Sequence, residues 1–251
     1  MKIHAVRSIA AMAVLSVFAL PAISQAQQIC PTTHFDLKNA LDDALGKHAE
    51  NDENAVDSGG FGLDMWATVV DRDGVVCAVA FSGEDRHAQW PGSRVISAQK
   101  ANTANAFSLD ILALSTANLY SAVQPGGSLY GLQHSNPVDT SVGYKGPSRN
   151  YGQHNDPMVG AKIGGVNVFG GGLGLYMGVK VVGGVGVSGD TSCTDHFVAW
   201  RVRFHLGLEP PAGAGNDNIL YDIKNGISDS GFGHPECDPP TPDPGTLPGA
   251  Q

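Results

Sequence analysis

The sequence predicts a mixed α/β (α+β) domain, and three observations carry that expectation. A helix-period apolar stripe covers residues 34–49. An apolar run then folds back on itself around Asp73-Gly74, the strongest short hairpin signal a sequence offers. A late block rich in valine and glycine, residues 165–189, reads as strands separated by tight turns.

Each element follows in order. In "HFDLKNALDDALGKHA" the residues Phe35, Leu37, Leu41, Ala44, Leu45 and Ala49 fit one helical face. "ENDENAVDSGG" is an acidic, solvated loop. "LDMWATVVDRDGVVCAVAFSG" gives the two hairpin strands. Its "DRDG" is not a calcium loop, because Ser82 stands where the glutamate eleven residues after Asp71 is required. "SRVISAQKANTANAF" places Ile96, Lys100, Thr103 and Phe107 on one face of a helix. A second helical piece is expected over residues 115–123, stopped by Pro125-Gly126-Gly127. Residues 128–162 carry Gly, Pro, Asn, Ser and Tyr without period, an ordered but irregular insertion of the kind that is functional or mobile.

"DTSCTDHFVAWRVRFHLG" fits a helix capped by Asp190 or Thr191 and ended by Gly207. A strand is its rival, since Val198, Trp200, Val202, Phe204 and Leu206 alternate with polar residues. After Glu209 the chain turns Pro-rich. "NILYDIKNGI" is expected to make a short ordered piece, and "DPPTPDPGTLPGAQ" a disordered or extended end.

The first 26 residues read as a secretory signal peptide. Lys2 and Arg7 precede an apolar run over residues 9–20, and Ser24 and Ala26 supply the small residues of a cleavage site after Ala26. The run is short for a bilayer span and no other segment could make one, so a periplasmic or secreted protein is expected. Cleavage leaves residues 27–209 as the domain and 210–251 as a C-terminal extension. Loss of Lys2 and Arg7 takes the net charge from −9 to −11, which argues against nucleic acid or an anionic membrane as partner. The cysteines Cys30, Cys77, Cys193 and Cys237 are even in number, which in an exported chain favours two disulfides. Three pairings are open. A metal site is disfavoured by the lack of any C-x-x-C pair, and a catalytic thiol by the oxidising compartment.

Gly184, Gly186 and Gly189 spell G-x-G-x-x-G in "GVKVVGGVGVSGD", the spacing of a dinucleotide turn. That reading lacks its second βαβ strand, and the residue at the right distance, Glu209, precedes Pro210-Pro211. The glycines read better as the close approach of a strand to a neighbour. Ser188, Asp190 and His196 resemble a triad only in composition, and the Ser-Gly-Asp run is more simply a turn. The remaining histidines form no metal-ligand spacing such as H-E-x-x-H.

"TVVDRDGVVCAVAFSGE", "SRVISAQKANTANAFS" and "GGLGLYMGVKVVGGVGVSGD" followed by "DHFVAWRVR" together resemble the GlcG/HbpS-like haem-binding protein family over roughly residues 35–208. The resemblance implies a single profilin-like domain, a central antiparallel sheet flanked by helices, that assembles into homo-oligomers. It implies haem as the small-molecule ligand, with a corrinoid or other tetrapyrrole as the lesser alternative. Ser97, Lys100, Ala101, Thr103 and Ala104 match the family's helix motif. Thr103 and Lys100 are the leading pocket candidates, Lys100 as partner of a haem propionate. The plainer alternative is that both belong to a helix face packed on the sheet. Histidine is the stronger axial ligand. His48 is the candidate metal ligand by analogy with members that use a histidine on the first helix, and His196 stands second. The expected function is haem binding rather than catalysis. An enzyme or accessory protein acting on a small organic acid or cofactor is one alternative, and a structural or interaction module another.

Overall fold

The computed structural model of this chain describes residues 29–48 and 57–250, so the expected leader lies outside the described residues. Helix α1 (His34–Ala44) leads into strands β1 (Trp66–Asp71) and β2 (Val76–Phe81) and then helix α2 (Gly92–Phe107). The short helices α3 (Leu132–Ser135) and α4 (Thr140–Gly143) interrupt the insertion. Strands β3 (Gly172–Met177) and β4 (Lys180–Ser188) precede helix α5 (Ser192–Leu206), and the extension holds a two-strand hairpin, β5 (Ile223–Lys224) and β6 (Ile227–Ser228). The main sheet is antiparallel, in the order β2-β1-β4-β3.

Local chemistry accounts for the boundaries. Asp71 Oδ1 accepts from the N–H groups of Asp73 and Val75, both at 2.9 Å, so this carboxylate builds the hairpin turn. Thr33 caps α1 through the Asp36 N–H, and Thr191 caps α5 through the Thr194 N–H. Gly207 closes α5 in the left-handed region at φ 65°. The helix reading of this last segment therefore holds over its strand rival. The helix expected over 115–123 does not form. Ser115 N–H and Oγ both bond Asn118 Oδ1, and only the 3-10 turn Ser121–Val123 follows. Such side-chain bonds compete with a helix for the same backbone groups.

Strand alternation divides the core in two. Ala67, Val69, Ala78, Ala80, Leu173, Leu175, Val185 and Val187 pack under α1 and α5. Trp66, Val70, Val79 and Phe81 face α2 and the insertion, together with Val95, Ala98, Ala101, Met158 and Ile163. The first face is filled by large side chains from the helices. The second is thin where α2 crosses β4. There a Cβ on Gly186 would overlap Ser97 O, and one on Gly184 would overlap Ala101 O. The glycine block thus lets a helix backbone rest directly on a strand. The buried face of α2 holds Ser97, Ala98, Ala101 and Ala104 together with Lys100 and Thr103 of the expected line, while Ile96 and Phe107 at its ends are only half-buried. Ser97 Oγ lies 2.7 Å from Thr68 Oγ1, satisfying both buried hydroxyls.

Two disulfides close the fold, Cys30–Cys77 and Cys193–Cys237. Each ties a terminal segment to the body, at β2 and at the first turn of α5. The insertion and the extension are both ordered. Arg94 of α2 forms a fully buried pair with Asp156 of the insertion and donates to Gly143 O at 2.7 Å. Arg203 of α5 pairs with Asp217 of the extension at 2.5 Å, again fully buried. The Pro-rich end is extended but packed. Leu247 lies in the core, and Trp200 Nε1 donates to Pro248 O at 2.8 Å.

Candidate functional site

The residues singled out by sequence gather around the first turn of α5. Lys100 reaches out from α2 and is 1% exposed. Its Nζ donates to Asp195 Oδ2 at 2.6 Å and to Val187 O at 3.1 Å. The other Asp195 oxygen accepts from the N–H groups of Gly189 and Asp190, at 2.9 and 3.0 Å. These are backbone donors of the sort a phosphate cradle would use, and the chain's own carboxylate occupies them. The dinucleotide reading is closed by that contact. Burial lowers the Lys100 pKa and raises that of Asp195, and the opposite charge of each partner works against the shift.

Thr103, one turn further along α2, has no solvent exposure. Its hydroxyl donates to Gln99 O at 2.7 Å and accepts from Asn167 N–H at 2.9 Å. That hydroxyl holds the approach to β3 against the helix. His196 is also fully buried, and neither ring nitrogen completes a hydrogen bond. Asn218 lies beside the ring and favours its charged form, but burial dominates, helped by the nearby charge of Arg203, and brings the pKa to about 3. His48 stands apart. Its side chain is 55% exposed, with Nδ1 2.7 Å from Asp43 Oδ1 and Nε2 3.9 Å from Asp42 Oδ2. The fold therefore brings Lys100 and His196 into one buried polar cluster, seats Thr103 beside it, and leaves His48 on the surface.

Of these four, His48 alone has an exposed side chain. The Asp43 carboxylate 2.7 Å from Nδ1 orients the ring, and Nε2 faces the Asp42 carboxylate at 3.9 Å. Lys100 is committed to Asp195, so a propionate contact would require opening that pair. Ser188, Asp190 and His196 do not form a triad. The Asp190 carboxylate accepts from the N–H groups of Phe61, Leu63 and Thr191, and no hydrogen bond joins His196 to either residue. A cleft lies beside Asp190, lined also by Lys47, Asp57 and Asp64, but the Asp190 oxygens are already used.

Sequence reasoning missed Asp195, which partners Lys100, and His234. His234 is 1% exposed, with Nδ1 bonded to Pro235 O at 2.8 Å and Nε2 accepting from Gly170 N–H at 3.3 Å. Burial brings its pKa to about 4. A signal for His234 was present, because it stands three residues before Cys237 as His196 stands three after Cys193.

A family model described as haem degrading protein HbpS-like matches residues 40–202. The chain belongs to the HbpS-like family. No curated protein matches it. Among solved structures, a Klebsiella pneumoniae protein, ORFY, is 25% identical over 74% of this chain and 99% of its own, with a TM-score of 0.46. A PduOC complex with heme is 20% identical, over 70% of this chain and 94% of its own, at 0.45. A double mutant of Streptomyces reticuli HbpS is 16% identical, over 78% and 97%, at 0.44. The family match supports a haem-related ligand. No helix among the described residues is long and apolar enough to cross a membrane.

Proposed function

We propose that this protein is an exported haem-binding protein, a binder rather than a catalyst, with His48 as axial ligand. The observation that carries the reading is the family match over residues 40–202. The leader-like first 26 residues and the two disulfides support export, since disulfides persist in oxidising compartments. His48 is supported by its exposure and its Nδ1 contact with Asp43. His196 is less suited, because iron could not reach it without opening the core. Bound haem would supply an iron porphyrin, and the chain's part is to hold it through the His48 imidazole.

Titration of the oxidised mature protein with hemin is the test, and a saturable shift of the Soret band is expected. Its absence would sink the reading. His48→Ala is expected to change the bound spectrum, while a folded His196→Ala variant leaves it as in the parent. The family description also names haem degradation, so the bound pigment should be followed in the presence of a reductant. Persistence of the Soret band supports a binder, and its bleaching to an open-chain product a catalyst.

A further inference from the structure

Two short sequences flank the second disulfide with mirrored spacing. Cys193-Thr194-Asp195-His196 opens α5, and His234-Pro235-Glu236-Cys237 lies in the extension. Two thiols and one imidazole, with a solvent oxygen in the fourth position, are a donor set of tetrahedral zinc sites. The fold brings the ends together, with one ligand atom each from Cys193, His234 and Cys237 within 4.8 Å of one another. His234 Nδ1 lies 4.0 Å from Cys193 Sγ, and Tyr120 packs against the ring with centroids 5.1 Å apart. His196, one turn along α5 from Cys193, packs its ring against Trp200 with centroids 6.1 Å apart and is not part of this group.

We propose that reduction of the Cys193–Cys237 bridge by a dithiol opens a Zn²⁺ site, with Cys193 Sγ, Cys237 Sγ and His234 Nδ1 as its protein ligands and a solvent oxygen in the fourth position. The Cys237 half is the accessible one. It lines an open cleft of about 340 Å³ with Tyr221, Pro240 and Pro244. A thiolate of the reductant attacks Cys237 Sγ, the S–S bond breaks, and Cys193 leaves as the thiolate. The second thiol of the reductant then displaces Cys237. The dithiol ends as a cyclic disulfide, having given two electrons, and the protein holds two thiols. Zinc takes both as thiolates and one proton from each passes to solvent. The proton on His234 Nδ1, now given to Pro235 O, moves to Nε2, which gives up its long contact with Gly170 N–H. Both sulfurs lie at the N-terminal turn of α5, where the Cys193 N–H already donates to Cys237 Sγ at 3.2 Å. A helix N-terminus favours thiolate.

The test uses the full mature chain reduced with a phosphine, and Co²⁺ as a spectroscopic probe of the zinc site. One Co²⁺ per chain is expected, with a thiolate-to-cobalt charge-transfer band that Zn²⁺ abolishes. The oxidised chain should show neither. The Cys30→Ser/Cys77→Ser variant should keep the band, and Cys193→Ser/Cys237→Ser should lose it. His234→Ala should weaken binding by about tenfold or more, the scale on which lost support is felt at metal sites. Should a variant fold poorly, the melting temperature of the reduced parent chain decides, and Zn²⁺ must raise it. No charge-transfer band and no rise in melting temperature would overturn the site. Unchanged affinity in His234→Ala would overturn the three-ligand set.

Discussion

The insertion, 128–162, and the extension, 210–250, are held to the body by the same device and differ in what backs it up. Each is tied by an aspartate to a buried arginine on a core helix, Asp156 to Arg94 of α2 and Asp217 to Arg203 of α5. The arginines are further fixed by aromatic faces. Arg94 lies 3.7 Å from the centroid of the Tyr151 ring, and Arg203 4.6 Å from that of Trp200. Only the extension adds a covalent tie, through Cys193–Cys237, and only the extension buries a titratable imidazole, His234. The insertion is therefore held by one charged contact, packing and backbone hydrogen bonds to β2, where Val76 donates to Ala161 O and accepts from Gly160 N–H. The extension is held by a charged contact of the same kind, packing, a redox-sensitive bond and a pH-sensitive ring.

The largest effect is expected from removing either aspartate. Asp156→Ala or Asp217→Ala leaves a buried guanidinium without its partner, at about 3–5 kcal/mol. Denaturant unfolding should show that loss in both. Limited proteolysis should separate them, with Asp156→Ala releasing fragments of the insertion while the extension of Asp217→Ala stays attached until the disulfide is reduced. Equal release from both without reductant would break the comparison.

Removing the disulfide in Cys193→Ser/Cys237→Ser should cost about 2–4 kcal/mol. The loss should expose the extension to protease and leave the insertion protected.

Acid comes next. His196 and His234 have folded pKa values of about 3 and about 4, below the ordinary 6.5. Both are neutral above pH 6.5 in either state and contribute no pH dependence there. As pH falls below 6.5 the unfolded chain takes up protons that the folded chain refuses, so stability drops until the folded values are reached. The loss is about 2 kcal/mol per histidine between pH 7 and pH 5. A His234→Gln variant should flatten that slope by about half, measured as unfolding free energy against pH. An unchanged slope would detach His234 from the effect.

The smallest change is Thr191→Ala, which removes the cap of α5 at a cost of about 1 kcal/mol. Its melting temperature should fall while the insertion's protease pattern stays as in the parent.

Part of this was legible in residue order. The Asp71–Gly74 turn and the Thr191 and Gly207 caps are local, set by backbone freedom and side chains a few residues apart. The segment 115–123 shows where local reading misled, since Ser115 and Asn118 satisfied their own backbone instead of a helix. The candidate site was less legible. Lys100 and Thr103 were singled out, but their surroundings depend on groups far along the chain. Lys100 meets Asp195 across 95 residues, and Thr103 meets Asn167 across 64.

By itself, then, the sequence determined the α+β pattern, the hairpin, the ends of α5, the acidic charge and the even cysteine count. Tertiary structure alone decided which cysteines pair, that Asp195 fills the cradle beside Gly189, that the insertion and extension are seated by arginines, and that His196 is sealed while His48 is open. The reason is physical. Backbone preference acts over a few residues, whereas burial and the pairing of charges depend on which distant segments the packed sheet brings within a few ångströms.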